Sequence, residues 1–372
     1  MSIVILSIPL FFILIGIELV YDRIQHAKLY RLNDAVTNIS CGILDQLMAV
    51  SGGVITVLLY TFFQKLSPFT VEQTWWNWII LFLLYDLAYY WAHRMSHEIN
   101  LFWAGHVVHH QSEDYNLSVA LRQGAFQKFF SMWFYVPIAL MGFDNAWFLT
   151  VVGINLVYQF WIHTEAINRF PPWIEFVFNT PSHHRVHHGR DPKYIDKNHA
   201  GVFIIWDRIF GTFQKEEEKP TYGITTPINS WNPVYAQVQH FGTIYRDLGK
   251  MKGLKNKFRL LFNKPGWYPE ELGGYRAPQA VDHSAYHKFD LRMSPKLNYY
   301  LLSQYIILLG ITAFFLFQVS STPALQAWLI GGWIVLGVLS LGLLFEGKKW
   351  AVWLEAGRVV LGLAGLGWLL FI

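Results

Sequence analysis

Residues 75–97 read WWNWIILFLLYDLAYYWAHRMSH, an apolar run that passes without a break into two histidines four positions apart. Helical spacing puts His93 and His97 on one face. The stretch therefore predicts a membrane helix that carries imidazole out beyond the apolar layer. The rest of the chain repeats the first half of that pattern. Of 372 residues, 53% are hydrophobic, 17% aromatic and only 15% charged, too apolar for an ordinary soluble domain. Further apolar runs lie at about 3–20, 39–63, 126–142, 146–162, 299–317, 325–345 and 351–372. With the run at 75–92 they suggest about eight spans of roughly 20 residues each. The short 146–162 run and its neighbour read equally as a re-entrant or interfacial hairpin.

The first run lacks a basic leader and a small-residue cleavage site, so it is expected to be a retained span. Cys41 is the only cysteine, which excludes an intrachain disulfide and a cysteine-built metal site. Lys and Arg concentrate in alternate short loops: Arg23, Lys28 and Arg31, then Arg94, Arg122 and Lys128, then Lys348, Lys349 and Arg358, with Lys65 alone on the other side. That bias places those loops, and the polar stretch 163–298 with them, on the cytoplasmic face. Within this stretch, YRDLGKMKGLKNKFRLLF mixes basic and apolar residues at helical spacing, as either an interfacial helix or a plain surface helix would. The net charge of +4 reads as topology and headgroup contact, and no nucleic-acid motif accompanies it.

Nine of the fifteen histidines fall into three clusters. The second, HVVHH, brings His106 against His109 and His110. The third, TPSHHRVHHGR, places His183, His184, His187 and His188 within an arc of about 140° on a short helix. So many imidazoles cannot crowd together protonated, and neutral ones leave lone pairs in need of an acceptor. A metal is that acceptor, and eight or more histidines exceed what one ion takes. Two metals are expected, with iron fitting an all-histidine shell better than zinc. His163, in FWIHTE, is a further candidate ligand. Asp86, one helical face below His93, is a candidate to orient a ligand ring. Glu98, Glu113 and Asp114 read evenly as orienting groups or solvated carboxylates. His199, His283, His287, His26 and His240 read as background.

These words resemble the fatty acid hydroxylase superfamily, also called sterol desaturase-like proteins, on three boxes: His93 and His97; His106, His109 and His110; His184, His187 and His188. The flanking words YYWAHRMSHEINLFWAGHVVHHQSEDYNLSVALRQ, QFWIHTEAI, NTPSHHRVHHG and WDRIFGTF are closer still to its alkylglycerol monooxygenase branch. The resemblance implies a di-iron monooxygenase that hydroxylates the ether-linked carbon of an alkylglycerol, and the product falls apart to a fatty aldehyde. It also implies tetrahydrobiopterin as external reductant and a functional role for Glu98. This chain departs from the family's usual tyrosine at His199, and nothing in the sequence resembles a fused cytochrome b5 domain, so electrons are expected from an external donor. The expected fold is an all-α polytopic bundle with a cytoplasmic di-metal cap: N-terminal spans over 1–74, a hydroxylase region over 75–298 and C-terminal spans over 299–372. The expected membrane is a bacterial inner membrane or the endoplasmic reticulum. The runner-up activity is hydroxylation or desaturation of acyl chains or sterols with a redox-protein donor. A metal transporter would need ionisable residues strung through its spans, and Asp86, Asp45, Glu18 and Glu355 are all this chain offers.

Overall fold

The computed structural model describes residues 3–282, 284–291 and 293–370, so His283 lies outside the described residues. The described residues form helices and turns and no strand, with one isolated bridge between Gly189 and Tyr222. In chain order the helices are α1 (Ile3–Gln25), α2 (Leu32–Lys65), α3 (Trp75–Glu98), α4 (Asn100–His110), α5 (Gln127–Ser131), α6 (Val136–Leu140), α7 (Asn145–Trp161), α8 (Pro172–Val177), α9 (Pro181–His187), α10 (Ile205–Ile209), α11 (Pro233–Lys250), α12 (Gly253–Phe262), α13 (Pro295–Gln318), α14 (Ala324–Phe345) and α15 (Ala351–Leu370). Local chemistry sets several boundaries. Thr74, Asp144, Asn232 and Ser294 each accept a backbone N–H at the start of α3, α7, α11 and α13. Ile99, extended at φ −114° and ψ 117°, turns α3 directly into α4.

Among the described residues, α1, α13 and α14 are long and apolar enough to cross a membrane, and α2 makes a fourth if its two parts, bent by 51°, count as one span. These helices fit a multi-pass membrane protein, but the structure does not support the expected count of about eight. The 126–142 run breaks into α5, a tight turn over Met132–Tyr135 and α6. Pro137 sits in the first turn of α6, and Gly142 closes it at φ +88° where a Cβ would stand 2.3 Å from the Phe69 carbonyl. α7 has only 17 residues. α3 is diluted by Trp, Tyr, Asn77 and the buried Asp86. α15 spends its first turns on a buried Glu355–Arg358 pair that Gln304, Ser340 and Tyr300 complete.

Two apolar cores organise the bundle. One gathers Leu301, Leu308, Ile334, Val338 and Leu341 from α13 and α14 against α2. The other gathers Leu81, Tyr85, Ile138, Ala139 and Val151 from α3, α6 and α7. Residues 163–231 fold over the ends of α3, α4 and α7, fastened from below by Asp86. Its Oδ1 accepts from Asn155 Nδ2 and the Val202 N–H, each at 2.8 Å; its Oδ2 accepts from the Phe203 N–H and Trp206 Nε1, each at 3.0 Å. The chain passes so close here that a Cβ on Gly201 would lie 2.8 Å from Asp86 Oδ1, so only glycine fits.

Candidate metal centre

Nine histidines converge under this lid, all of them buried. They form two sets: His93, His97, His106, His110 and His187, and His109, His163, His184 and His188. Helical spacing explains the division. His106 and His110, four apart on α4, share one face and enter the first set, while His109 turns to the second. At α9 the pattern inverts: His184 and His188 enter the second set and His187 the first. Both of these boxes therefore serve both sets, and α4 and α9 stand between them.

The spacing of the nitrogens tests whether a metal fits. His93 Nε2 lies 3.0 Å from His106 Nε2, and His106 Nε2 lies 3.2 Å from His110 Nε2. In the second set, His109 Nε2 and His163 Nε2 are 3.2 Å apart, and His163 Nε2 and His184 Nε2 are 2.9 Å apart. At a metal–nitrogen distance of about 2.1 Å, ligands at right angles stand about 3.0 Å apart and tetrahedral ones about 3.4 Å. All four spacings are those of ligands to one ion, two matching right angles and two lying midway between the two geometries. Ring positions agree. His93, His106, His110 and His187 form a closed square with neighbouring centroids at 4.7, 5.0, 4.8 and 4.4 Å, and His97 sits 4.7–5.3 Å from all four, as an apex does. In the second set His109 and His184 oppose each other at 6.4 Å, while every other pair lies within 4.3–5.1 Å. A six-position centre would keep one position free at the first set and two at the second.

The outer nitrogens point the inner ones. His93 Nδ1 donates to the His199 carbonyl (2.8 Å), His187 Nδ1 to Lys197 (2.9 Å), His109 Nδ1 to Arg122 (2.8 Å) and His163 Nδ1 to Gln159 (2.7 Å). A carbonyl can only accept, so the proton sits on Nδ1 and the Nε2 lone pair faces inward. His97 Nδ1 instead faces Asp196 Oδ1 at 3.7 Å. The buried Nε2 atoms of His97, His187 and His188 have no hydrogen-bond partner, the orphaned lone pairs a metal would take up. Burial first, and neighbouring imidazoles after it, hold His110, His184, His187 and His188 far below the usual imidazole range, and burial takes His109 down to about 4. The rings are thus neutral and able to ligate at neutral pH.

One loop braces three of the first set's five ligands. Asp196 and Asn198 adopt the left-handed conformation, at φ 55° each, which turns the Lys197 and His199 carbonyls and the Asp196 carboxylate toward the site. Asp207 pins the loop by accepting the His199 and Ala200 N–H groups, each at 2.8 Å, and Asn198 ties it to the His183 carbonyl and to both sides of Gln214. Sequence reasoning passed over Asp196 and Asp207. The words DKNHAG and WDRIF carry their carboxylates in plain view, but a carbonyl partner leaves no signature in residue identity.

The remaining sequence-predicted residues are placed as follows. Asp86 reaches no ligand ring; it holds the 201–206 segment. Glu98 pairs with Arg94 at 3.0 Å on the partly exposed side of α3 and stands outside both sets. His183 also stands outside, one turn nearer the start of α9, against Phe213 and Thr180. Glu113 and Asp114 bind the Tyr286–Phe289 segment and Arg31. His199, read as background, is fully buried beside the first set, its ring 5.0 Å from His97 with both nitrogens unpartnered. His240 meets only Asn100, and His26 and His287 are exposed.

Membrane-capable helices beside nine buried imidazoles, gathered into two sets that could hold metal, are the features of a membrane protein with a candidate metal centre. Comparison with known proteins gives the lineage. Residues 78–212 match the fatty acid hydroxylase family profile. The chain is 40% identical to the alkylglycerol monooxygenase of Xenopus tropicalis over 90% of its own length and 76% of that protein's. It is 42% identical to the Homo sapiens enzyme of that name, over 91% and 76%, and 38% identical to that of Danio rerio, over 92% and 77%. No solved structure matches the chain significantly. The chain belongs to the fatty acid hydroxylase family, on the branch of the alkylglycerol monooxygenases, and is a membrane lipid monooxygenase.

Proposed function

We propose that the chain oxygenates the ether-linked carbon of 1-O-alkylglycerols. One oxygen atom of O2 enters the C–H bond as hydroxyl; the other leaves as water with two electrons and two protons from an external donor. The hemiacetal so formed breaks its C–O bond to release a fatty aldehyde and glycerol. Iron, bound by the five-histidine and four-histidine sets, would supply the reductive activation of O2. The protein's own share is to hold nine buried histidine donors in place and to exclude water from a wholly buried site. Glu98, outside the sets and partly exposed, is suited to meet a reductant arriving from solvent, for which we propose tetrahydrobiopterin. The lysine and arginine bias supports a cytoplasmic site, in a bacterial inner membrane or the endoplasmic reticulum.

The observation that carries this reading is the convergence of nine buried histidines into two adjacent donor sets. It argues for two metal centres side by side. The experiment supplies iron-loaded protein with O2, tetrahydrobiopterin and a 1-O-alkylglycerol. Aldehyde release that stops under nitrogen is the expected result. Oxidation of acyl chains or sterols with a redox-protein donor, and no ether cleavage, would overturn the substrate assignment.

A further inference from the structure

α12 presents an unpartnered face of unusual composition. Its sequence, GLKNKFRLLF, holds three basic residues and no acidic one. At about 100° per residue, Leu254, Phe258 and Phe262 fall within one 80° stripe, flanked by Lys255 and Arg259 on one side and Lys257 on the other. All three stripe residues are exposed, Leu254 at 85%, and the Phe258 and Phe262 rings lie 4.5 Å apart. Leu260, on the opposite face, is buried. An apolar stripe with basic flanks turned away from the protein is the pattern of a helix resting on an acidic lipid layer.

The position of α12 points to the same occupant. The Asn100 N–H donates to the Asn263 carbonyl (2.9 Å) and Asn100 Nδ2 to the Leu260 carbonyl (3.0 Å), so α12 is fastened at the junction of α3 and α4. The outer face of α3 shows Ile79, Ile80 and Leu83, and its far end begins with exposed Trp75 and Trp76. α12 is thus anchored to a helix whose outer face is apolar and exposed. Other large apolar residues are exposed as well: Trp173, Phe176 and Ile209, with neighbouring Phe210 packed 4.9 Å from Trp91 of α3. Exposed aromatic side chains are what a membrane–water boundary favours.

We propose that the Leu254–Phe258–Phe262 face of α12 docks on the surface of an anionic lipid leaflet. Docking sets the helix flat beside the first histidine set, whose Asp196 is met by Lys264 at 3.5 Å just beyond α12. A lipid headgroup drawn to the basic flanks thereby stands next to the metal centre.

The test uses full-length, metal-loaded protein in lipid nanodiscs, either of phosphatidylcholine alone or containing phosphatidylglycerol. An environment-sensitive dye is placed at Leu254→Cys, and Cys41, being buried, stays unlabelled. The expected result is quenching by headgroup-level nitroxide lipid at least about five-fold stronger in the anionic discs, the gain that one basic residue brings at such a surface, together with protection from aqueous iodide. Lys255→Glu with Lys257→Glu and Arg259→Glu in the labelled chain is expected to abolish the difference while bound metal stays unchanged. Equal quenching in both kinds of disc, free access of iodide in both, or shielding only on addition of an acidic redox protein overturns the proposal.

Discussion

The two histidine sets use the same chemistry and are held by different parts of the chain. In the second set, His163 is oriented by a carbonyl of its own helical turn, and His109 by Arg122, whose buried guanidinium also donates to Val108, Asn38 and Gln111. The supports come from the helical body. The first set depends instead on the 196–199 loop, about a hundred residues from His93 and His97 and ten from His187, whose carbonyls and carboxylate face these three rings. The difference teaches that the lid gives ligands to both sets, while the 196–199 loop supplies outer hydrogen-bond partners to the first set. The first set should therefore be the more sensitive to changes far from it.

The largest effects fall on the ligands. Replacing any of the nine with Ala is expected to cut lipid oxygenation by more than about a hundred-fold, a greater loss than outer supports give, as followed by product formation; His287→Ala should change nothing. Full activity in two such variants would remove the ligand assignment. Next comes the loop anchor. Asp207→Ala strips the acceptor from two backbone N–H groups and from Thr212 Oγ1. About 10- to 100-fold weaker metal binding is expected at the first set only, measured by competition with a chelator. Equal weakening at both sets would break the comparison.

Smaller effects sharpen it. Gly201→Ala forces a Cβ to within 2.8 Å of Asp86 Oδ1 and is expected to destabilise the lid by about 1–3 kcal/mol in thermal unfolding. Burial raises the Asp207 carboxyl to about 6, above its ordinary 3.8, although hydrogen bonds from Thr212, His199 and Ala200 oppose the rise. A raised carboxyl stabilises the fold fully below its unfolded value, and that contribution is lost as pH rises through the folded one. Metal-free protein should therefore lose stability between about pH 4 and 6 from this group, and Asp207→Asn should flatten that slope. Glu98→Gln is expected to slow the pterin-dependent reaction while leaving metal content unchanged, since the residue lies outside both sets.

How far the sequence discloses this site depends on the kind of contact. His93 and His97, His106 to His110 and His184 to His188 were legible because helix periodicity converts spacing into a shared face. His163 was legible from its place at the end of an apolar run. The assignment of His109 and His187 to opposite sets from their nearest neighbours was not, since it depends on how α4 and α9 lie between the two sets. The loop at 196–199 stayed hidden because its work is done by carbonyls, which every residue has, and by left-handed turns at Asp196 and Asn198 that no glycine announces. Apolar runs were equally plain, but their fate was not. Pro137 and Gly142 break one of them, and Glu355 with Arg358 gives another a polar partner inside the bundle.

The central claim is that two separate, adjacent donor sets each bind one metal. Metal analysis of purified wild type, His97→Ala and His163→Ala tests it most directly, because His97 belongs to the first set alone and His163 to the second alone. The expected result is two metal ions per chain in the wild type and one in each variant, with different spectra for the ion that remains. A single metal in the wild type, or loss of both in either variant while the chain stays folded, would contradict the account.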